Sequence, residues 1–144
     1  EASRDAVLPE LIQMRYAVET GAGRFMTAGA TPERLARLEA LADELDRTGE
    51  EARRLELDGE LHAELLRLPG NALFTGLIPL VIDFFRQLRP EPKTQLTRER
   101  IGREHRDIIA ALRGGDTEHL VRLLGSHIEI YFTERSDDDG AAAR

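Results

Sequence analysis

A carboxylate and an imidazole stand four residues apart in a leucine-rich segment, at Asp58 and His62. Apolar residues recur there at helical spacing, and residues i and i+4 of a helix share one face. The neighbours on that face are Leu55, Leu61, Leu65 and Leu66. Such a pair is costly to bury unless another group satisfies it, and a metal ion would satisfy both members at once. The pair therefore predicts a fold in which other helices bring further ligands to this face.

The composition bounds the class of protein. A chain of 144 residues with 41% hydrophobic and 33% charged residues matches one globular domain rather than a disordered chain. Because cysteine is absent, a metal must be held by His, Asp or Glu. The net charge of −7 disfavours phosphate contacts by these residues themselves. With no signal peptide and no apolar run long enough to span a bilayer, we expect a cytoplasmic location and no membrane contact.

Glycine and proline residues divide the chain into segments with helical periodicity. We find no alternation of apolar and polar residues that would predict a β-strand. The predicted helices span 5–28, 32–47, 50–67, 72–88, 94–113 and 117–134. Thr31-Pro32 and Asn71 are helix-start signals, Gly114-Gly115-Asp116 combines a C-cap with an N-cap, and Pro79 should kink the fourth helix. Short connections favour an all-α antiparallel bundle of six or seven helices around a central metal or ligand cavity.

Two further expectations concern the ends of the domain and its surface. The predicted domain covers residues 1–135, and the acidic, then Ala-rich segment 136–144 is expected to be disordered.

The fourth helix is apolar almost all round, and its apolar surface is larger than the core of a single bundle requires. We therefore expect a homodimer with this helix, and the first helix with it, at or near the contact.

The helical neighbours of the four histidines separate them into two groups. His105 is flanked by Ile101, Ile108, Ile109 and Leu112. His127 is flanked by Leu120, Leu123, Leu124, Ile130 and Tyr131. Both therefore point into the core, whereas His119 lies near a helix start beside Asp116 and Arg122 and is expected to be exposed. Three helices thus send metal-capable groups inward.

Asp58, His62, His105 and His127 form the candidate metal site. Three imidazoles and one carboxylate suit one divalent ion, zinc or nickel first, with manganese or iron as alternatives. A divalent ion with neutral His and ionised Asp leaves a net charge of about +1. Four protein ligands on an octahedral metal leave two open positions, which should attract a carboxylate or hydroxy acid. Any single His on an apolar face is also explained as a hydrogen-bonded core residue.

Two arginines are candidate ligand-binding residues. Arg15 lies among Leu8, Leu11, Ile12, Val18 and Ala22 at helical spacing. A buried Arg needs an anionic partner, which is either Glu19 at i+4 or the carboxylate of a bound ligand. Arg98 lies seven residues before His105 on the same face and could also reach the cavity, although it stands near a helix start and is equally explained as a solvated residue.

The order of these motifs resembles a known family. The matching stretches are Met14-Arg15-x-x-x-Glu19, Asp58-x-x-x-His62, Leu66-x-x-Pro-Gly-Asn71, Glu104-His105-Arg-Asp-Ile108-Ile-x-Ala-Leu-x-x-Gly-Asp116 and His127. Over about residues 7 to 134 the chain resembles the FCD domain, the effector-binding domain of FadR-type GntR transcription regulators. The resemblance implies a helical bundle that binds a small carboxylic acid. In many members one Asp and three His hold a metal, and their positions match the four candidates here, unlike fatty-acyl-CoA sensors of the FadR type proper.

The chain also departs from that family pattern. The winged helix-turn-helix that precedes the domain in the family is missing from these residues, so DNA binding is implied only for a longer parent chain. Leu61 stands where an aromatic residue is common before the ligand His. The resemblance implies a ligand sensor rather than an enzyme.

Two other classes of function stay open on the sequence. A mononuclear metalloenzyme could use the same ligand set, which iron and manganese superoxide dismutases share together with an Asp-x-x-x-His element. Those enzymes are longer, rich in aromatics around the metal and partly β, whereas this chain has no Trp. A metal-free helical interaction module with satisfied core histidines is the third hypothesis.

Overall fold

The structure, a computed structural model, describes the backbone of residues 4–142 and the side chains of residues 6–131. This part of the chain is helical and contains no strand, which confirms the all-α fold. The helices are α1 (Arg4–Gly23), α2 (Pro32–Arg47), α3 (Glu51–Arg67), α4 (Ala72–Gly76), α5 (Ile78–Gln87), α6 (Gln95–Gly114) and α7 (Thr117–Ala142), with a short 3₁₀ helix at Thr27–Gly29.

Six of the helices form a closed ring. Going round it, α3 packs on α5, α5 on α1, α1 on α7, α7 on α6, α6 on α2, and α2 back on α3, while the short α4 packs on α3 and α5. Each helix turns an apolar stripe inward, as an amphipathic helix of a bundle does. The fully buried side chains at the centre include Ile12, Leu38, Leu57, Leu65, Phe84, Ile108 and Leu120. A group on the inner face of any of these helices therefore lies close to groups from several others.

The predicted capping residues begin and end the helices. The Thr31 side chain accepts a hydrogen bond from the Arg34 amide, and Asn71 accepts one from the Leu73 amide. Gly115 takes the left-handed conformation with φ 67°, and Asp116 then caps α7 by accepting from the His119 amide. These local interactions satisfy backbone groups that a helix end leaves unpaired, which explains why these predicted boundaries agree with the structure to within one residue.

The first helix is shorter than predicted, because it ends at Gly23 rather than near residue 28. The chain turns there to pass the end of α3. A Cβ on Gly29 would lie only 1.7 Å from the carbonyl oxygen of Leu68, so only glycine allows this approach. The prediction failed because the turn depends on a neighbour that is distant in sequence.

The predicted fourth helix, 72–88, is divided rather than kinked. It forms α4, which ends at Gly76, and α5, which begins at Ile78 with Pro79 in its first turn. Proline lacks an amide hydrogen and clashes with the carbonyl four residues earlier, whereas it is well accommodated at the start of a helix. Restarting the helix therefore costs less than kinking it.

The last helix is described through Ala142, beyond the predicted end at 134. Side chains are described only as far as Tyr131. The segment 136–144 therefore has its side chains outside the described residues, and its expected disorder stays a prediction. None of the helices in the described part is long and apolar enough to cross a membrane.

Candidate metal centre

Four potential ligands meet at the centre of the ring. Asp58 and His62 come from α3, His105 from α6 and His127 from α7. One ligand atom from each lies within 4.8 Å of all the others, and all four residues are buried. Two ligands on opposite sides of a zinc-like ion are about 4.0–4.4 Å apart. The four ligand atoms therefore converge closely enough to share a single ion after side-chain shifts of roughly half an ångström.

The polar atoms of this cluster lack the partners that buried groups normally have. Among the residues whose side chains are described, none forms a hydrogen bond of normal geometry with Oδ1 of Asp58, Nε2 of His127 or either ring nitrogen of His105, all of which are buried. Oδ1 of Asp58 lies 3.2 Å from Nε2 of His105 and 3.4 Å from Nε2 of His62, in poor alignment for a hydrogen bond. Such groups are expensive to bury unsatisfied. One cation among them would satisfy the carboxylate oxygen and the imidazole lone pairs together, so the donor set fits a metal ion.

The three imidazoles pack against one another. The ring centroids lie 5.5 Å apart for His62 and His105, 5.2 Å for His62 and His127, and 4.9 Å for His105 and His127. Burial lowers the pKa of His127 well below its usual value, and the charges of His105 and His62 lower it further. A neutral imidazole is the form that binds a metal.

A carboxylate behind His62 fixes which of its ring nitrogens is free. Nδ1 of His62 donates a hydrogen bond to Oε1 of Glu19, because a carboxylate can only accept. In the neutral imidazole, the form that binds a metal, Nε2 then has its lone pair on the side of Asp58. Burial opposes ionisation of Glu19, but the charges of Arg15 and His62 outweigh it and lower the pKa of Glu19 to about 2. Glu19 therefore orients a potential ligand while it stays charged.

A second carboxylate stands behind His127. Nδ1 of His127 donates to Oε2 of Glu104 at 3.2 Å, which directs Nε2 into the cluster. Glu104 is half-buried, and burial raises its pKa. Metal-bound histidines commonly donate the other ring N–H to a carboxylate in this way. Sequence reasoning did not assign this role to Glu104 or Glu19, because the spacing along the chain does not show which acidic residue lies behind a given imidazole.

The carboxylate of Asp58 is held in its ionised form. Burial alone would favour the neutral acid, but the positive charge and hydrogen-bonding capacity of His105 and His62 lower the pKa of Asp58 well below its usual value. An ionised carboxylate and two correctly oriented imidazoles give the cluster the charge and the lone pairs that a divalent cation requires.

Arg15 lies beside the cluster and is 1% exposed. Its Nε is 2.5 Å from Oε2 of Glu19, so the ion pair that the sequence allowed is present. Its Nη2 lies 3.0 Å from Nε2 and 3.2 Å from Nδ1 of His62, and Nη1 is buried without a hydrogen-bond partner among the described side chains. The guanidinium also packs on aromatic rings, at 4.7 Å from the centroids of Phe84 and Phe85. Arg15 therefore keeps one unused donor inside the core.

Arg98, the second candidate ligand-binding residue, lies in a different place. Its Nη2 is 2.7 Å from Oε1 of Glu51 and 3.0 Å from the carbonyl oxygen of Gly49. It lines a surface cavity of about 560 Å³ together with Arg54 and Arg106. It stands near the start of its helix, and its partners come from the first residue of α3 and from the loop before it, so the structure does not bring it to the cluster. His119 is exposed, as the sequence predicted.

The fold and the cluster define a class of protein: an all-α domain whose helices enclose one Asp and three His beside a buried Arg. The chain belongs to the FCD domain family, whose model matches residues 10–130. This confirms the resemblance found in the sequence motifs, an FCD domain of the kind found in GntR-type regulators.

Two known proteins show where such a domain occurs. The chain is 28% identical over 124 residues to the HTH-type transcriptional repressor NanR of Cronobacter sakazakii (strain ATCC BAA-894). The aligned region covers 83% of this chain and 48% of that protein. It also matches the solved structure of Streptococcus agalactiae GntR with a TM-score of 0.74 and 21% identity, over 89% of this chain and 59% of that one. The chain thus spans about half the length of the curated relative, and the second match shows a shared fold.

Proposed function

We propose that this chain is the effector-sensing part of a GntR-type transcription regulator, and that it binds a small carboxylic acid at a metal ion. The observation that supports this most directly is the set of unsatisfied buried atoms on Asp58, His105 and His127, within ligand distance of His62. The family of the domain and the repressor among its relatives support a regulatory role rather than an enzymatic one.

Asp58, His62, His105 and His127 would hold the ion, with Glu19 and Glu104 orienting two of the three imidazoles. Bound there, a divalent metal supplies a positive centre with coordination positions left for a ligand. Zinc or nickel suits this donor set first, and manganese or iron second. His119 takes no part, because it is exposed and belongs to the start of α7.

The charges of the pocket favour an anion. A divalent ion and Asp58 leave about +1, and Arg15 and Glu19 cancel each other because they form an ion pair. The excess of about one positive charge lies in a buried site, where attraction is less screened than in water. The single lone pair of Nε2 on His62 cannot serve both a metal and Nη2 of Arg15. In the metal-bound domain Arg15 would therefore offer Nη1 and Nη2 to another acceptor, and a carboxylate suits both.

Binding of the acid would act on DNA through a winged helix-turn-helix in the parent protein, and we propose that the domain works as a homodimer. Several exposed apolar side chains support a contact near α1 and α4. Met14 is 43%, Phe25 57% and Leu73 81% exposed, and the rings of Phe25 and Phe74 lie 6.2 Å apart. Exposed apolar groups that adjoin one another commonly mark an interface.

Metal analysis combined with ligand titration tests the proposal. The purified domain should contain about one divalent ion per chain by mass spectrometry, and His105→Ala should lose it while the exposed His119→Ala keeps it. Calorimetry should then detect binding of acetate or a hydroxy acid to the metal-loaded parent and to His119→Ala, but not to His105→Ala. If the parent contains no metal, and His105→Ala has the same metal content and acid binding as the parent, the helical interaction module is favoured. Turnover of superoxide or an ester by the loaded protein, without carboxylate binding, would favour a metalloenzyme.

A further inference from the structure

The candidate metal centre is closed to solvent. Exposure is 0% for His62 and His105, 1% for Arg15, 4% for His127 and 7% for Asp58. A carboxylic acid is larger than an ion, so part of the enclosing wall has to move before such a ligand can bind. The wall with empty space on its outer side is the one that can move at least cost, because packed cores resist overpacking.

Such a space lies outside the ring between α3 and α5. It is a groove of about 590 Å³, within the range of about 300–1,000 Å³ for small-molecule sites. Its lining is mainly apolar, from Ala52, Leu55, Gly59, Ile82, Phe85, Leu88 and Pro90. Glu56, Glu60 and Arg86 are the polar residues that line it.

One side chain borders both the groove and the buried centre. Phe85 lines the groove, and its ring stacks on His62 with 5.6 Å between centroids. Cζ of Arg15 lies 4.7 Å from the centroid of the same ring. The thickness of one aromatic ring therefore separates the groove from a metal ligand and from the arginine that carries an unused donor.

The helix opposite Phe85 leaves room beside that ring. Gly59 directly follows Asp58 in α3, and a Cβ there would lie 3.4 Å from both Cδ2 of Phe85 and Cδ1 of Ile82. Glycine within a helix is destabilising relative to alanine. Glycine at this position leaves empty the volume that a larger side chain would fill beside the ring of Phe85.

We propose that the groove between α3 and α5 is the subsite for the apolar part of the effector, with Phe85 moving aside so that the carboxylate reaches the metal and Arg15. This inference rests on the proposed function and adds the class of ligand: an aliphatic monocarboxylic acid rather than a diacid. Glu56 and Glu60 both pair with Arg53, and Arg86 is the other cation there, so the groove has no excess positive charge. A second acid group at the far end of the ligand would therefore enter a mainly apolar space without an unpaired cation to bind it.

Calorimetry on the metal-loaded protein with acetate, butanoate, hexanoate and hexanedioate tests the subsite. Affinity should rise by about fourfold for each added CH2 until the groove is filled, the value for taking one methylene out of water. Hexanoate should bind more tightly than hexanedioate. Affinities that agree within twofold across the series, or tighter binding of the diacid, would overturn the inference. Acetate binding by itself tests the proposed function, so the two can fail separately.

Two variants locate the effect in the groove. Ala52→Trp fills the groove from an exposed position and should abolish the gain from acetate to hexanoate while leaving acetate binding unchanged. Ala110→Trp is the matched control, because Ala110 is also an exposed helical alanine that lines a surface cavity, on α6. Equal loss of hexanoate binding in both variants, or in neither, would contradict the inference.

A third variant examines the wall itself. Phe85→Leu keeps an apolar side chain but removes the ring that separates the two spaces, so the association rate of hexanoate should rise by at least several-fold in stopped-flow measurements. An unchanged rate in folded Phe85→Leu would show that the ligand enters elsewhere, for example past the half-buried Glu104.

Discussion

Arg15 combines a structural and a proposed functional role in a single side chain. Its Nε donates to Glu19 and its Nη2 contacts His62, whereas Nη1 has no hydrogen-bond partner in the part of the chain whose side chains are described. The alternatives that the sequence left open, an ion pair or a ligand contact, are therefore compatible with each other. The donors on opposite sides of a guanidinium can serve different acceptors.

Replacing Arg15 by Met should weaken binding of the best carboxylic acid by about 2–5 kcal/mol, the range for removing one partner of a buried charge pair. Metal content should stay at the parent level, because Arg15 is not a ligand. Calorimetry and metal analysis on the same sample check both statements.

The same substitution leaves Glu19 with His62 as its only described partner and should lower the free energy of unfolding. The double variant Arg15→Met, Glu19→Gln removes that uncompensated charge and serves as the control for stability. If Arg15→Met binds the acid as tightly as the parent does, the role of Arg15 is structural only.

Glu19 should matter for the metal although it is not one of the four ligands. His62 and Arg15 donate to different oxygens of Glu19, and in Glu19→Gln one of these two atoms becomes an NH2 group that cannot accept. The orientation of His62 is therefore lost in part of the molecules. Chelator competition should show metal affinity reduced by about 10- to 100-fold, the usual effect of removing such a partner. Glu118→Gln, which alters a solvent-exposed ion pair with Arg24, should have no effect.

At the scale of elements, Glu51 joins the start of α3 to the segment that leads into α6. Its carboxylate lies 2.8 Å from Nζ of Lys93 and 2.7 Å from Nη2 of Arg98. Burial opposes ionisation, but these two hydrogen bonds outweigh it and hold the pKa of Glu51 below the ordinary 4.5. The contact explains why Arg98 is directed away from the metal centre.

Glu51→Gln should lower the free energy of unfolding at pH 7 by about 1–2 kcal/mol. This value is low for hydrogen bonds between charged groups, because Lys93 and Arg98 are partly exposed and solvent weakens the interaction. Since the folded pKa is lowered, this stabilisation is present above pH 4.5 and is lost as the pH falls below it. Urea titrations at pH 7 and pH 3 should show a difference between parent and variant that shrinks at the lower pH. A constant difference, or an equal effect of the exposed Glu99→Gln, would argue against this ion pair as the cause.

At the scale of the whole molecule, the metal should stabilise the fold. Its four proposed ligands come from three helices, and an ion that binds only the folded state raises the free energy of unfolding by mass action. Chelation should therefore lower the melting temperature of the parent, and His105→Ala should show little further decrease. Calorimetric melts with and without chelator check this, and identical curves for the parent would point to a metal-free core.

The dimer is the second prediction at this scale. Light scattering should give about twice the 16.2 kDa of one chain. Leu73→Glu should yield the monomer, because it places a charge in the proposed contact, whereas Leu96→Glu should not. Leu96 is the matched control, since it is 79% exposed against 81% for Leu73 but lies at the start of α6. A parent that is monomeric at all workable concentrations would contradict the prediction.

The amino-acid sequence by itself determined the elements with local causes. Helical periodicity and the caps at Thr31, Asn71 and Asp116 were enough to predict α2, α3 and α6 and the starts of α4 and α7 to within one residue. A helix and its caps involve residues within a few positions of one another. The inward direction of Asp58, His62, His105 and His127 followed for the same reason, since the apolar neighbours that indicate a face lie three, four and seven residues away.

Only the tertiary structure decided what depends on the packing of distant segments. It brought Glu19 behind His62, Glu104 behind His127 and Arg98 to Glu51. It also ended α1 at Gly23, ahead of the turn in which Gly29 approaches Leu68. It also placed the ring of Phe85 between the buried centre and an outer groove. None of these contacts produces a periodic pattern in the sequence, because the partners lie on different elements and meet only when the ring of helices closes.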